Sequence, residues 1–180
     1  MGVEVRGELV ELCNRVAGEG MAGLEFVQSR IADYALPPDL DVLIALHACD
    51  TATDEALFAG IRAQAHVILA APCCHKEARP QVDRARIAGP LGDVLRHGIF
   101  AERHAEMATD ALRVLLLERE GYRVRVAEFV DAEHTAKNVM LLATRRVTLP
   151  DVAEIDSRIA ALKALYGIGH LCLEELLNKR

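Results

Sequence analysis

Continuous apolar runs alternate along this chain with stretches whose apolar residues recur every three or four positions, and that order predicts most of its elements. Residues 3–6 form a short strand-like run, after which Leu9, Leu12, Cys13 and Val16 recur at helical spacing until Gly18 and Gly20 stop the helix. Residues 24–31 read as a strand, and Pro37-Pro38 then breaks the chain. Residues 41–46 and 66–71 carry continuous apolar runs after Asp41 and His66, as strands buried on both faces of a parallel sheet do. Between them, Thr51-Ala52-Thr53-Asp54-Glu55 supplies capping hydroxyls and first-turn acids to a helix that carries Ala56, Leu57, Gly60 and Ile61 inward. A long helix is predicted over 100–120, with Met107, Ala108, Ala111, Leu112 and Leu115 on its inward stripe and Gly121 at its end. Residues 122–130 alternate with period two, as a half-exposed edge strand does, and 138–144 form a last strand. The link between these two is too short for a parallel crossover, so they should be antiparallel neighbours. Residues 151–180 form a helical tail, amphipathic through Ile155, Ile159, Leu162, Leu165 and Tyr166 and split near Gly167 and Gly169.

Strands separated by helices, followed by an antiparallel pair, make an α/β order, and in such sheets ligands sit at the carboxyl ends of the strands. Composition narrows this: 180 residues with 52% hydrophobic and 27% charged positions suffice for one packed domain and exclude a disordered chain. No apolar stretch approaches the roughly 18 residues that cross a bilayer. The start lacks the apolar core of a signal peptide, and five cysteines, an odd number, fit a reducing compartment, so a cytoplasmic location is expected. The net charge of −6 is uneven, with 3 Lys/Arg against 11 Asp/Glu in residues 1–60 and 18 against 16 in residues 61–180. A polyanion such as RNA would approach the second part.

The strand ends carry the candidate chemistry. His47, Cys49, Asp50 and Asp54 follow the first apolar strand; Cys73, Cys74, His75 and Lys76 follow the second; Glu133, His134 and Lys137 fill the loop before the last. A histidine at such a point can orient a substrate or take its proton, because imidazole titrates near neutral pH. No metal site is expected: tetrahedral zinc takes ligands two to four residues apart, and adjacent cysteines at a strand end should diverge. Cys73 and Cys74 read equally well as small buried residues. A hydrolase with one of them as nucleophile is disfavoured, because Pro80 and scattered charges follow rather than an oxyanion-hole helix. His104 and Asp110 lie on different faces of the long helix and are expected to be unrelated.

The segment Leu46-His47-Ala48-Cys49-Asp50-Thr51-Ala52-Thr53-Asp54, with Pro72-Cys73-Cys74-His75-Lys76 after it, resembles S-adenosylmethionine-dependent methyltransferases that carry "LHxCG…TD" and "CCxxK" segments, a group related to tRNA ribose methyltransferases. The resemblance covers about residues 3–146. It implies a class I methyltransferase domain over residues 1–148, with a Rossmann-like, mostly parallel sheet closed by a C-terminal antiparallel pair, and a helical extension over 149–180. It further implies that Glu4 holds the cofactor's ribose, that Ile31, Ala32 and Asp33 flank adenine, and that Ala45 and His47 border the transferred methyl group. Asp50, Lys76, Glu133 and Lys137, with His47 and His75, become the acid–base set of an enzyme acting on RNA.

One departure qualifies the resemblance. The family opens with a strand and a glycine-rich loop at the cofactor, whereas Gly18-Glu19-Gly20 follows a helix and precedes a strand, the wrong context for that role. Glu4 resembles the acid that ends the family's second strand, so the sheet is expected to be incomplete at its N-terminal side. The strand over 41–46 would then present an apolar edge, covered by a preceding segment, by a strand swapped from a second copy, or by direct pairing with the strand over 24–31. The alternative is a degenerate methyltransferase fold that binds without catalysing.

Overall fold

The computed structural model describes residues 1–46, 48–82, 87–131, 133 and 137–179. Two compact units divide at Pro37/Pro38, the dipeptide expected to break the chain.

The first unit, residues 1–37, is a strand–helix–strand element. Strands β1 (Gly2–Glu4) and β2 (Phe26–Gln28) pair in parallel, joined through helix α1 (Gly7–Gly18). Asn14 of α1 secures the join by acting as a strand neighbour: its Nδ2 donates to the Phe26 carbonyl at 2.8 Å and its Oδ1 accepts from the Phe26 N–H at 2.7 Å. The strand predicted over 24–31 is shortened to three residues, and Ile31–Asp33 instead form a turn of 3-10 helix. Ala17 is the buried residue of α1, while Leu12 and Val16, placed on the apolar stripe from sequence, are exposed.

The second unit, residues 38–180, is built on a four-stranded sheet of order β3-β4-β6-β5: β3 (Val42–Leu46), β4 (Val67–Ala71), β5 (Tyr122–Glu128) and β6 (Val139–Arg145). Strands β3 and β4 are parallel, whereas β4–β6 and β5–β6 are antiparallel. The expected antiparallel pair is present, but the sheet is mixed rather than mostly parallel, since β6 returns between β4 and β5. Helices α2 (Thr51–Arg62) and α4 (Gly98–Arg119) cover one face, with the short α3 (Pro90–Leu95), not foreseen from sequence, leading into α4. Gly60 lets α2 settle closely on the sheet, because a Cβ there would come within 2.8 Å of the Ile68 side chain. The tail forms α5 (Val152–Tyr166), packed on α4, and α6 (Cys172–Asn178), packed on α2. Residues 149–180, set apart as an extension from sequence, thus belong with the second unit. No helix among the described residues is long and apolar enough to cross a membrane.

Two details of the helices differ from expectation. In α4 the buried stripe runs through Ala101, Ala105, Ala108, Leu112 and Leu116 and includes Arg113, while Met107 and Ala111 face outward. At the start of α2 no side chain caps the helix: Asp50 is the capping residue and its carboxylate is engaged elsewhere.

Candidate functional site

The parallel register pairs Leu46 with Ala71, so β3 and β4 end side by side and their following segments emerge together. Cys49 Sγ lies 3.1 Å from Cys73 Sγ, and Cys73 Sγ lies 3.7 Å from Cys74 Sγ. The adjacent cysteines converge rather than diverge, because Cys49 across the register draws the turn after β4 into one cluster with them. Burial, together with hydrogen bonds among the three thiols, pushes Cys73 up to about 12, so it is protonated at neutral pH and has no thiolate with which to serve as a nucleophile.

Asp50 fixes the turn between β3 and α2 in a backbone conformation, φ 55 and ψ −123, that glycine adopts far more readily. Three hydrogen bonds hold it there. Its Oδ1 accepts from the Glu77 N–H at 2.9 Å, and its carbonyl accepts from Arg113 Nη2 and from the Thr53 N–H, each at 3.1 Å.

Beneath the strand ends lies a buried charge network. Arg113 of α4 donates through Nε and Nη2 to both carboxylate oxygens of Asp54 at 3.0 and 2.8 Å, and through Nη1 to Asp110 at 3.0 Å. Burial opposes the guanidinium charge, but the Asp54 and Asp110 carboxylates outweigh it and hold the pKa above the ordinary arginine value. Asp110 also meets His75 Nε2 at 3.0 Å, while the buried His75 Nδ1 has no hydrogen-bond partner among the described residues. His75 borders a cavity of about 380 Å³ that Asp110, Met107, Val126, Lys137 and Val139 also line. Lys137 pairs there with Glu106. A larger open depression of about 800 Å³ lies at the opposite end of the sheet, by Tyr122 and Arg145.

Of the residues singled out from sequence, His75 and Lys137 share this cavity, and Asp50 is tied to the segment that follows His75. Lys76 and Glu133 are exposed. His47 and His134 lie outside the described residues. Ala45 is buried on the helix-covered face of β3. In the first unit, Glu4 is engaged by Arg6, whose backbone N–H and Nε reach Oε1 at 3.0 Å and whose Nη2 reaches Oε2 at 3.3 Å. The Arg6 hydrogen bonds lower the Glu4 carboxyl to about 2. Ile31 is half-buried, and Ala32 and Asp33 are exposed. The Arg113 network was missed from sequence, although one signal was available: Arg113 is the charged residue in line with Thr109, Leu112, Leu116 and Leu117 on a buried stripe.

The two strand-end segments also coincide with a family match. Residues 1–81 match a family described as methyltransferase domain. The match supports a methyltransferase, and it spans the first unit, β3, α2, β4 and the cysteine segment after β4. No curated protein and no solved structure matches the chain.

Proposed function

We propose that the chain is an S-adenosylmethionine-dependent methyltransferase whose methyl acceptor is bound at the carboxyl ends of β3 and β4 and in the cavity beside His75, with RNA as the acceptor class. The observation that carries this reading is the convergence of the two segments within the methyltransferase-matching region: their cysteines meet at 3.1 Å and Asp50 is bonded to the segment after β4.

The residues fit the cofactor's chemistry. An ionised carboxylate accepts hydrogen bonds from ribose hydroxyls, and Glu4 is ionised with its second oxygen only partly used by Arg6. An exposed ion pair of this kind exchanges partners at little cost. Within the first unit, Glu4 suits the ribose, and Ile31, Ala32 and Asp33 suit the adenine. The cofactor supplies an electrophilic methyl on a sulfonium. The protein's own contribution is placement of the acceptor and, for a hydroxyl, removal of its proton. His75 is suited to that removal: Asp110 fixes its Nε2 side, and its Nδ1, buried and unpaired among the described residues, becomes the base once an acceptor fills the cavity beside it. Exposed Lys76 and the basic balance of residues 61–180 support a polyanionic acceptor, as do Arg123 and Arg125 on β5.

Transfer of labelled methyl groups from S-adenosylmethionine to bulk RNA tests the reading. His75→Asn should abolish turnover while leaving cofactor binding intact. Lys76→Ala should weaken RNA binding in a salt-dependent way, and unchanged turnover in that variant removes lysine from the acid–base set. Binding of RNA without any transfer favours instead a methyltransferase fold that only binds.

A further inference from the structure

We propose that Cys49, Cys73 and Cys74 form a metal site that holds one zinc ion between the ends of β3 and β4. Their sulfur atoms all lie within 4.8 Å of one another. Zinc binds thiolate sulfur at about 2.3 Å, which sets neighbouring sulfurs of a tetrahedral site roughly 3.8 Å apart. The contacts of 3.1 and 3.7 Å lie just under that spacing, and all three sulfurs fall within 4.8 Å, so small side-chain rotations suffice to seat the ion.

The approach of the sulfurs does not depend on the cysteines themselves. The β3–β4 register sets the two segments side by side, and the Glu77 N–H to Asp50 Oδ1 bond at 2.9 Å ties them just beyond the thiols. Arg113 holds the Asp50 carbonyl from below. The cluster is therefore organised before any ion arrives, and ordering it on binding costs little. Binding displaces the thiol protons, that of Cys73 included, and the resulting soft thiolates select zinc over magnesium or calcium, whose shells are built from oxygen. Three protein ligands leave a fourth coordination position, and Cys49 is on the exposed side of the cluster. Water or an acceptor group can take that position, as in sites where zinc acts as a Lewis acid rather than only as a staple. A zinc ion here would be a resident part of the site whether or not the methyltransferase reading holds.

Titration of the reduced full chain with Co(II), followed by displacement with Zn(II), tests this. The proposal expects sulfur-to-cobalt charge-transfer absorption that saturates at one equivalent and is abolished by zinc. Cys49→Ser, Cys73→Ser and Cys74→Ser should each weaken binding by more than the roughly 10- to 100-fold that loss of an outer-shell partner costs. Cys13→Ser and Cys172→Ser should leave it unchanged. X-ray absorption on the zinc-loaded unmodified chain guards against variants that fail to fold, and should show a mainly sulfur shell at about 2.3 Å. A shell of nitrogen and oxygen alone, no charge-transfer band, or a band that survives loss of Cys49 overturns the proposal. So does isolation of the chain with a Cys49–Cys73 disulfide that no zinc prevents.

Discussion

The two sides of strand β3 behave as if they belonged to different proteins. Leu43 and Ala45 point to the helices and are buried, Leu43 at 7% exposure, whereas Ile44 between them is 61% exposed and Val42 and Leu46 are similarly open. Both sides carry the same kind of side chain. The covered side closes over α2 and α4 and contains the Asp54–Arg113–Asp110–His75 network, in which every charge has a partner. The open side carries the same apolar residue types on the outermost strand of the four-stranded sheet. The contrast assigns this strand's contribution to stability to its helix side.

The largest expected effect lies on the covered side. Arg113→Ala strands the buried Asp54 carboxylate and removes one partner of the half-buried Asp110, and should cost about 3–5 kcal/mol in denaturant unfolding. A loss near zero would mean that the network contributes nothing to the core. Leu43→Ala should cost about 2–4 kcal/mol by leaving a cavity under α2, whereas Ile44→Ala, one position along, should cost less than about 1 kcal/mol. Equal costs would erase the distinction between the two sides. At the turn out of β3, Asp50→Ala keeps the φ of 55 and loses the bond to Glu77, while Asp50→Gly relieves the backbone; the glycine variant should be the more stable by about 1 kcal/mol.

The smallest effect concerns pH. Burial acts against the Glu106 charge, but hydrogen bonds from Lys137 and Arg103 hold its carboxyl below the usual range. A lowered folded-state pKa means that the stabilisation is complete above the ordinary glutamate value and is lost as pH falls through the lowered one. The stability difference between the native chain and Glu106→Gln should therefore be constant near neutrality and vanish on acidification. A difference that grows in acid would contradict this.

Much of the fold was legible because burial leaves a periodic trace. Strands β3 to β6, α2 and the split tail all follow from apolar spacing, and the antiparallel pair follows from the length of a link. The misreadings have physical causes. Met107 and Ala111 are apolar yet line a cavity wall on the outer side of α4, so a stripe drawn by residue type alone took them inward. The residues 24–31 carry β-forming side chains, but the paired strand is only three residues long and the chain turns at Ile31. Of the candidate site, the strand-end clusters were visible, since β3 and β4 were recognisable as neighbours. The convergence of Cys49 with Cys73 and Cys74 was not, because it depends on register at the scale of one residue. The pairing of Asp54 with Arg113 joins residues 59 positions apart in the chain, a separation that no local pattern records.

The central claim is that the region matching methyltransferases binds S-adenosylmethionine through Glu4. Isothermal titration tests it most directly, with the cofactor titrated into the 180-residue chain. The account predicts saturable one-to-one binding, weakened by about 10- to 100-fold in Glu4→Gln as hydrogen bonds to a charged group are lost. Absence of binding, or binding indifferent to Glu4→Gln, would contradict it.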